Sequence, residues 1–337
     1  MKRFILLFAL CLIGSIGFAQ KKNVMRANSE LKQESPNYEN ARQWVKDARE
    51  APETQNDAKT WWISAEVEDA VYSLNDNKRT TNQKYDESAM YKALEDEYTY
   101  LQQALYLDSL PNEKGKISPK YTKKIIERIR NRQMGFWDAA VIYYKGKEYK
   151  KAYEMWETYL SIPDKYGISE EKQKQLDEQG IVDSTYIFGR YYAALAAYIS
   201  KDYELALPAL NRAKDNDYDI LTIYQCLNEL YTNQKDSASL LTLSQEVIDK
   251  LGITKDTENF LLQMINIYIT NDKINEAITY LDKAIEASPK AEYYKVKGRL
   301  FEEIGDESNA MICFNKALEM NPNLSDVWSE MGRIYYN

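Results

Sequence analysis

By residue type, the adjacent acids Glu170-Glu171 and Glu302-Glu303 come closest to chemistry in this sequence. Two carboxylates held a short distance apart can act as acid and base in glycoside hydrolysis. Little else supports a reaction. The 337 residues include no histidine, which removes Ser-His-Asp and Cys-His nucleophile systems, His-ligated zinc and the commonest general base. No GxxxxGK(S/T) or GxGxxG phosphate loop occurs. Cys11 follows Leu10 inside an apolar run, whereas the lipidated cysteine of a lipoprotein follows a small residue. Cys226 and Cys313 read as buried small apolar residues rather than reactive thiols. The acid pairs themselves fall where solvent-facing helical charge is expected. The expectation is a chain that is not an enzyme and uses no metal and no cofactor.

Charge patterning is more informative. Lys114, Lys116, Lys120, Lys123, Lys124, Arg128, Arg130 and Arg132 form a basic run interrupted only by Glu113 and Glu127. With Ser118-Pro119 as a helix start, Lys120, Lys124, Arg128 and Arg132 make an i+4 stripe opposite the apolar Ile125 and Ile129. Such a stripe either docks an acidic partner or anionic lipid headgroups, or is a solvated helix face. At the start, Met1-Lys2-Arg3 and the apolar run Phe4 to Phe18, closed by Gly17-x-Ala19, have the form of a secretory signal peptide over residues 1–19. An uncleaved anchor is the rival reading, although the run is short for a span. Export to the periplasm or cell surface is therefore expected, with no integral membrane segment after cleavage. Cleavage would remove two of the 44 basic residues, giving 42 − 52 = −10, a charge that disfavours nucleic acid as a partner.

The elements that must carry these residues follow from a repeated spacing. Tyr294-x2-Lys297-Gly298-x2-Phe301 precedes Ala310-x3-Phe314-x2-Ala317-x4-Pro322. Upstream, Leu261-x2-Met264-Ile265-x2-Tyr268 precedes Ala277-x3-Leu281-x2-Ala284-x4-Pro289, an offset of 310 − 277 = 33 residues. Trp328-x2-Met331-Gly332-x2-Tyr335 begins a further copy. Each half places its residues on one helical face, and small residues opposite large ones allow two helices to pack closely. Gly305-Asp306 falls between the helices and Pro322 after the second, where a helix stop costs least. This pattern resembles the tetratricopeptide repeat (TPR) family, whose unit is a helix-turn-helix of about 34 residues.

The resemblance implies an all-α, TPR-like α-solenoid, a right-handed superhelix of stacked hairpins in which each repeat buries its second apolar face against a neighbour. Its units fall at about 133–163, 184–218, 220–251, 257–289 and 291–322, with a half unit at 324–337, in an array spanning 119–337. Residues 20–118 read as divergent repeats: a helix near 23–34 with a partner through Ala41, Val45 and Ala48, then Trp61 to Tyr72 with a partner at 87–108. Polar inserts are expected at 73–86, 109–118 and 163–183. The half unit is either a capping helix or the beginning of a longer array. In an extended stack Cys226 and Cys313 lie too far apart for a disulfide.

The resemblance also implies a binding groove lined by the first helix of each repeat, and hence a protein or peptide partner. Carried over by spacing, the groove positions are Trp137, Val141 and Tyr144, then Tyr191, Leu195 and Tyr198, then Asn259 and Asn266, Lys295 and Arg299, and Ser329 and Arg333. An aromatic floor leading to amide and basic groups suits an extended peptide with an acidic end. Alternatively the aromatics pack against neighbouring repeats. A glycan- or small-ligand-binding protein, with these rings stacked on sugars, is the second functional reading. Where some members clamp a C-terminal carboxylate with amide or basic groups, this chain has Leu262, Glu292 and Glu330.

Overall fold

A computed structural model describes residues 20–112, 114–168 and 184–336. The signal peptide expected over 1–19 and the stretch 169–183 lie outside the described residues, as does the acid pair Glu170-Glu171.

The described residues form helices and connecting turns only, in agreement with the all-α class expected. They are α1 (20–30), α2 (Tyr38–Glu50), α3 (Ala58–Thr80), α4 (Glu87–Asp108), α5 (Thr122–Asn131), α6 (Gln133–Lys145), α7 (Tyr149–Tyr166) and α8 (Ser184–Ile199). The series continues with α9 (Tyr203–Ala213), α10 (Ile220–Gln234), α11 (Ser237–Leu251), α12 (Glu258–Thr270), α13 (Ile274–Ala287), α14 (Ala291–Glu303), α15 (Glu307–Met320) and α16 (Ser325–Tyr336). The chain forms two compact units, one ending at Ala209 and one beginning at Leu210, so the division falls within α9.

The hairpin turns are built alike. A left-handed residue closes the first helix at Asn82, Lys147, Lys201, Lys235, Asp272 and Gly305, with φ between 56° and 78°. In five of these turns an amide then reaches back six residues inclusive: Gln83 to the carbonyl of Lys78 (2.7 Å), Glu148 to Tyr143 (2.8 Å), Asp236 to Tyr231 (3.0 Å), Lys273 to Tyr268 (2.9 Å) and Asp306 to Phe301 (2.8 Å). This closure satisfies carbonyls that a helix end leaves open. Second helices commonly start on an aspartate: Asp86, Asp236 and Asp306 accept the amides of Ala89, Ser239 and Asn309 at 2.9, 3.0 and 3.1 Å.

Packing inside a hairpin shows why small residues recur. Gly298 of α14 lies against the ring of the fully buried Phe314 of α15, and a β-carbon at this position would stand 2.5 Å from Phe314 Cε1. Ala310 and Ala317, about one turn to either side of Phe314 on α15, are fully buried. In the N-terminal unit the core is aromatic, with Tyr72, Tyr91, Phe136, Trp156 and Tyr159 all buried. In the C-terminal unit it is mostly aliphatic, around Leu261, Met264, Ile265, Leu281 and Leu300. Many tyrosines bury the ring and keep a polar end, as Tyr224 does in donating to Glu246 Oε1 at 2.9 Å.

Three expectations about the N-terminal half need correction. Residues 73–80 of the insert expected at 73–86 are helical, because Asn75 turns its polar side chain to use: its Nδ2 donates to the Val71 carbonyl (2.9 Å) and its Oδ1 accepts the Asp86 amide (3.0 Å). That buried amide bridges the two ends of the connection. The unit expected to end at 163 runs further: Pro163 sits inside α7, which continues to Tyr166. A proline has no amide for the carbonyl four residues back. Here that carbonyl, of Tyr159, accepts instead from Gln133 Nε2 at 3.0 Å, so the helix continues without an orphaned acceptor. Finally, α5 starts at Thr122, not at Ser118-Pro119. Its start is fixed by Asp108 at the end of α4, whose carboxylate accepts the amides of Lys120, Tyr121 and Thr122 at 2.9, 2.8 and 2.8 Å and the Thr122 hydroxyl at 2.9 Å. Against the cost of burial, these bonds hold the Asp108 carboxyl below its ordinary range.

Candidate functional site

The aromatic first-helix positions of the N-terminal unit are packed against other rings. Trp137 on α6 meets Trp156 and Tyr159 of α7 edge-on, at 6.3 and 5.4 Å between centroids. Tyr144 meets Tyr149, Trp156 and Tyr192, at 5.2, 5.7 and 6.5 Å. On α8, Tyr191 is buried and lies edge-on to Tyr192 at 5.2 Å, while Tyr198 is half-buried and also engaged. These side chains therefore fill the space between α6, α7 and α8, and their faces are largely committed to one another.

The basic stripe is divided by the fold. Lys120 and Lys124 are exposed, with Lys120 ahead of the helix rather than on it. Arg128 and Arg132 point inward and are not a solvated face. Arg128 pairs with Glu66 (2.9 Å) and Asp69 (2.9 Å) of α3 and approaches Glu97 of α4 (3.4 Å). Arg132, at the junction of α5 and α6, pairs with Asp69 and lies 3.3 Å from Glu97. Their guanidiniums lie over Trp62 (5.6 Å) and Tyr72 (4.3 Å). The carboxylate of Glu97 is only 1% exposed, and burial pushes it up to about 7 although Arg132 and Arg128 oppose the shift. Arg130 is also internal, donating to the Tyr166 carbonyl at 2.6 Å. Spacing could not reveal these pairings, since the acids come from helices 31 to 63 residues earlier in the chain.

In the C-terminal unit the first-helix positions are polar and come together as ion pairs. Lys295 on α14 binds Glu292 (2.7 Å) and Asp326 of α16 (3.3 Å). Arg299, one turn on, binds the same Asp326 (2.9 Å) and Glu330 (2.6 Å). Arg333 crosses in the opposite direction from α16 to Glu302 at 2.6 Å. Desolvation raises the Asp326 carboxyl, but Lys295 and Arg299, with the Val327 amide, together hold it below its ordinary range. The cations expected to receive an acidic peptide end thus already have carboxylates. Asn266 on α12 is exposed, and its carbonyl accepts the Thr270 hydroxyl at 3.0 Å. The missed members, Asp326, Glu330 and Glu302, lie on the same first helices, at positions from which only the stacking of α14 on α16 brings them to the cations.

Other chemistry is sparse. Cys226 and Cys313 are free and buried, and burial pushes the Cys226 thiol up to about 11, far from a nucleophilic thiolate. Glu302 of the acid pair is occupied by Arg333, and Glu303 is exposed. Among the described residues no group of three or more His, Cys, Asp or Glu side chains gathers to hold a metal ion. Among them, too, no helix is long and apolar enough to cross a membrane.

The family profile described as tetratricopeptide repeat matches residues 266–290 and 291–324. A TPR repeat-containing protein of Methanocaldococcus jannaschii is 24% identical over 234 residues, covering 64% of this chain and 37% of that protein. The chain thus spans about a third of that relative's length. Among solved structures, MamA AMB-1 is 15% identical, with 57% of this chain and 93% of that chain covered and a TM-score of 0.35. A tetratricopeptide repeat protein from Parabacteroides merdae is 14% identical, with 95% and 99% covered and a TM-score of 0.29. The matched residues 266–324 contain the close Gly298–Phe314 contact and the turns at Asp272 and Gly305, whose closure recurs in earlier hairpins, and over these residues the chain carries tetratricopeptide repeats.

Proposed function

We propose that this protein is a non-enzymatic scaffold of the cell envelope, holding a partner protein or peptide against the first-helix face of its repeats. The observation that carries the reading is the ladder of Lys295, Arg299, Arg333, Asp326, Glu330 and Glu302 across α14 and α16. Charged groups of both signs, fixed in position and partly exposed on adjacent first helices, suit recognition of a polar segment by exchange of ion pairs. Specificity then comes from alternating charge, not from a simple basic patch. The envelope assignment rests on the basic start and apolar run at the N-terminus.

The glycan reading gains no support from ring geometry, because Trp137 and Tyr144 are packed edge-on against Trp156 and other rings.

Affinity capture from envelope extracts with the tagged full-length chain tests the proposal, in parallel with an Arg299→Glu, Arg333→Glu variant checked for wild-type helicity. A protein enriched by the native chain and lost with the variant is the expected outcome. An identical set from both, or no enrichment, would overturn the first-helix assignment.

A further inference from the structure

A recess of about 320 Å³ opens within the N-terminal unit between α2 and α4, away from the first-helix positions discussed above. Its walls are mainly charged, and most of those charges are already paired. Arg42 holds the buried Glu68 through two nitrogens, with Nε 3.0 Å from Oε1, and also reaches Glu39 at 3.5 Å. Lys92 holds Asp96 at 2.6 Å. Two cations of the lining remain. Lys46 is exposed, and Arg49 stands one turn beyond it on the same face of α2.

Among the described residues Arg49 makes no direct ion pair, although its charge still acts on the Glu68 carboxylate that Arg42 holds. The Arg49 guanidinium lies 4.0 Å over the ring of Tyr100 and 5.8 Å from that of Trp61, while the two rings are 5.9 Å apart. Its Nη1 is buried with no hydrogen-bond acceptor. Stacking uses the flat face of a guanidinium and leaves its in-plane N–H groups unsatisfied, and such a buried donor is costly until an acceptor arrives.

The geometry points to a carboxylate-binding site in which Arg49, oriented by Tyr100 and Trp61, takes a carboxylate in plane while Lys46 adds a second charge. The ligand class is a peptide carboxylate, supplied either by an acidic side chain or by a free C-terminus. The planar fork of arginine matches two carboxylate oxygens. Arg42 and Lys92, being occupied, shape the recess and do not compete for the ligand. This inference does not rest on the first-helix ladder: Lys46 and Arg49 lie in the N-terminal unit, Arg299 and Arg333 in the C-terminal one.

The test uses the full chain and three labelled peptides in fluorescence anisotropy: an end-blocked alanine peptide with one internal glutamate, an alanine peptide with a free C-terminal carboxylate, and an end-blocked all-alanine peptide. At least one carboxylate peptide is expected to bind, the neutral one not, and the pair identifies which source of carboxylate is accepted. Arg49→Met should weaken binding at least about tenfold, the loss typical of a charged hydrogen-bond partner. Arg49→Lys, which keeps the charge without the fork, should weaken it less and serves if the methionine variant does not fold. Absence of binding by both carboxylate peptides, equal binding of the neutral one, or wild-type affinity in folded Arg49 variants would overturn the proposal. Loss of the first-helix ladder leaves this result unaffected, so the two readings fail separately.

Discussion

Glu97 carries opposed forces at the scale of a single residue. Burial raises its carboxyl and two guanidiniums lower it, with a net position of about 7 against an ordinary 4.5. Because the folded state holds this proton more tightly, the stabilisation it contributes is complete below the unfolded value and is lost as pH rises toward about 7. Asp108, held below its ordinary range by three amides and a hydroxyl, acts with the opposite sign and loses its contribution only on acidification. Glu97→Gln removes the titration with little change in volume. Urea midpoints measured from about pH 5 to about pH 7.5 should therefore fall in the native protein relative to the variant. Parallel curves would show that Glu97 ionises as a free glutamate does. None of this was legible from the basic run alone. Arg128 and Arg132 look solvent-directed in sequence, and only the stacking of α3 and α4 against α5 brings Glu66, Asp69 and Glu97 to them.

At the scale of the element, the hairpin turn is the recurring structure. Gly305 was readable as a turn because glycine accepts a left-handed conformation without strain. Lys147, Lys201 and Lys235 adopt the same conformation at the corresponding turns, with φ from 56° to 64°, and nothing in a lysine side chain announces it. A side chain in that conformation costs about 1 kcal/mol, so each of these turns stores a little strain that the hairpin packing outweighs. Two substitutions should act in opposite directions. Gly305→Ala, where open space leaves only the backbone penalty, should destabilise by about 1 kcal/mol, and Lys235→Gly should stabilise by about 0.5–1 kcal/mol. Thermal unfolding of both variants checks the pair, and equal shifts of one sign would exclude turn strain as the cause. The polar stretch after Tyr72 is a second lesson at this scale. It reads as a loop by composition, yet the buried Asn75 spends its amide inside the connection and lengthens α3 to Thr80.

Across the whole molecule, the two units differ in what fills them. Five of the six tryptophans, Trp44, Trp61, Trp62, Trp137 and Trp156, belong to the N-terminal unit, and Trp328 alone to the C-terminal one. Gly298→Ala would drive a methyl group into the Phe314 ring and strain the C-terminal core by about 1–3 kcal/mol. Repeat arrays transmit such strain mainly to neighbours. The helical signal should therefore be lost earlier in the variant, while the emission dominated by the five N-terminal tryptophans keeps its native midpoint. Coincident shifts in both probes would show that the chain unfolds as one cooperative body. The sequence by itself determined the class of this protein: small and large residues at helical spacing, repeated every 33 residues or so, leave few arrangements other than stacked helical hairpins. The absence of histidine likewise narrowed the chemistry by composition alone. Which charges are available was decided only in three dimensions. Lys295, Arg299 and Arg333 find carboxylates on the adjacent first helix, Arg128 and Arg132 find theirs on α3 and α4, and Arg49 finds aromatic rings instead. Ion pairing depends on distances of a few ångströms between residues remote in the chain, and periodicity records only which face of its own helix a residue occupies.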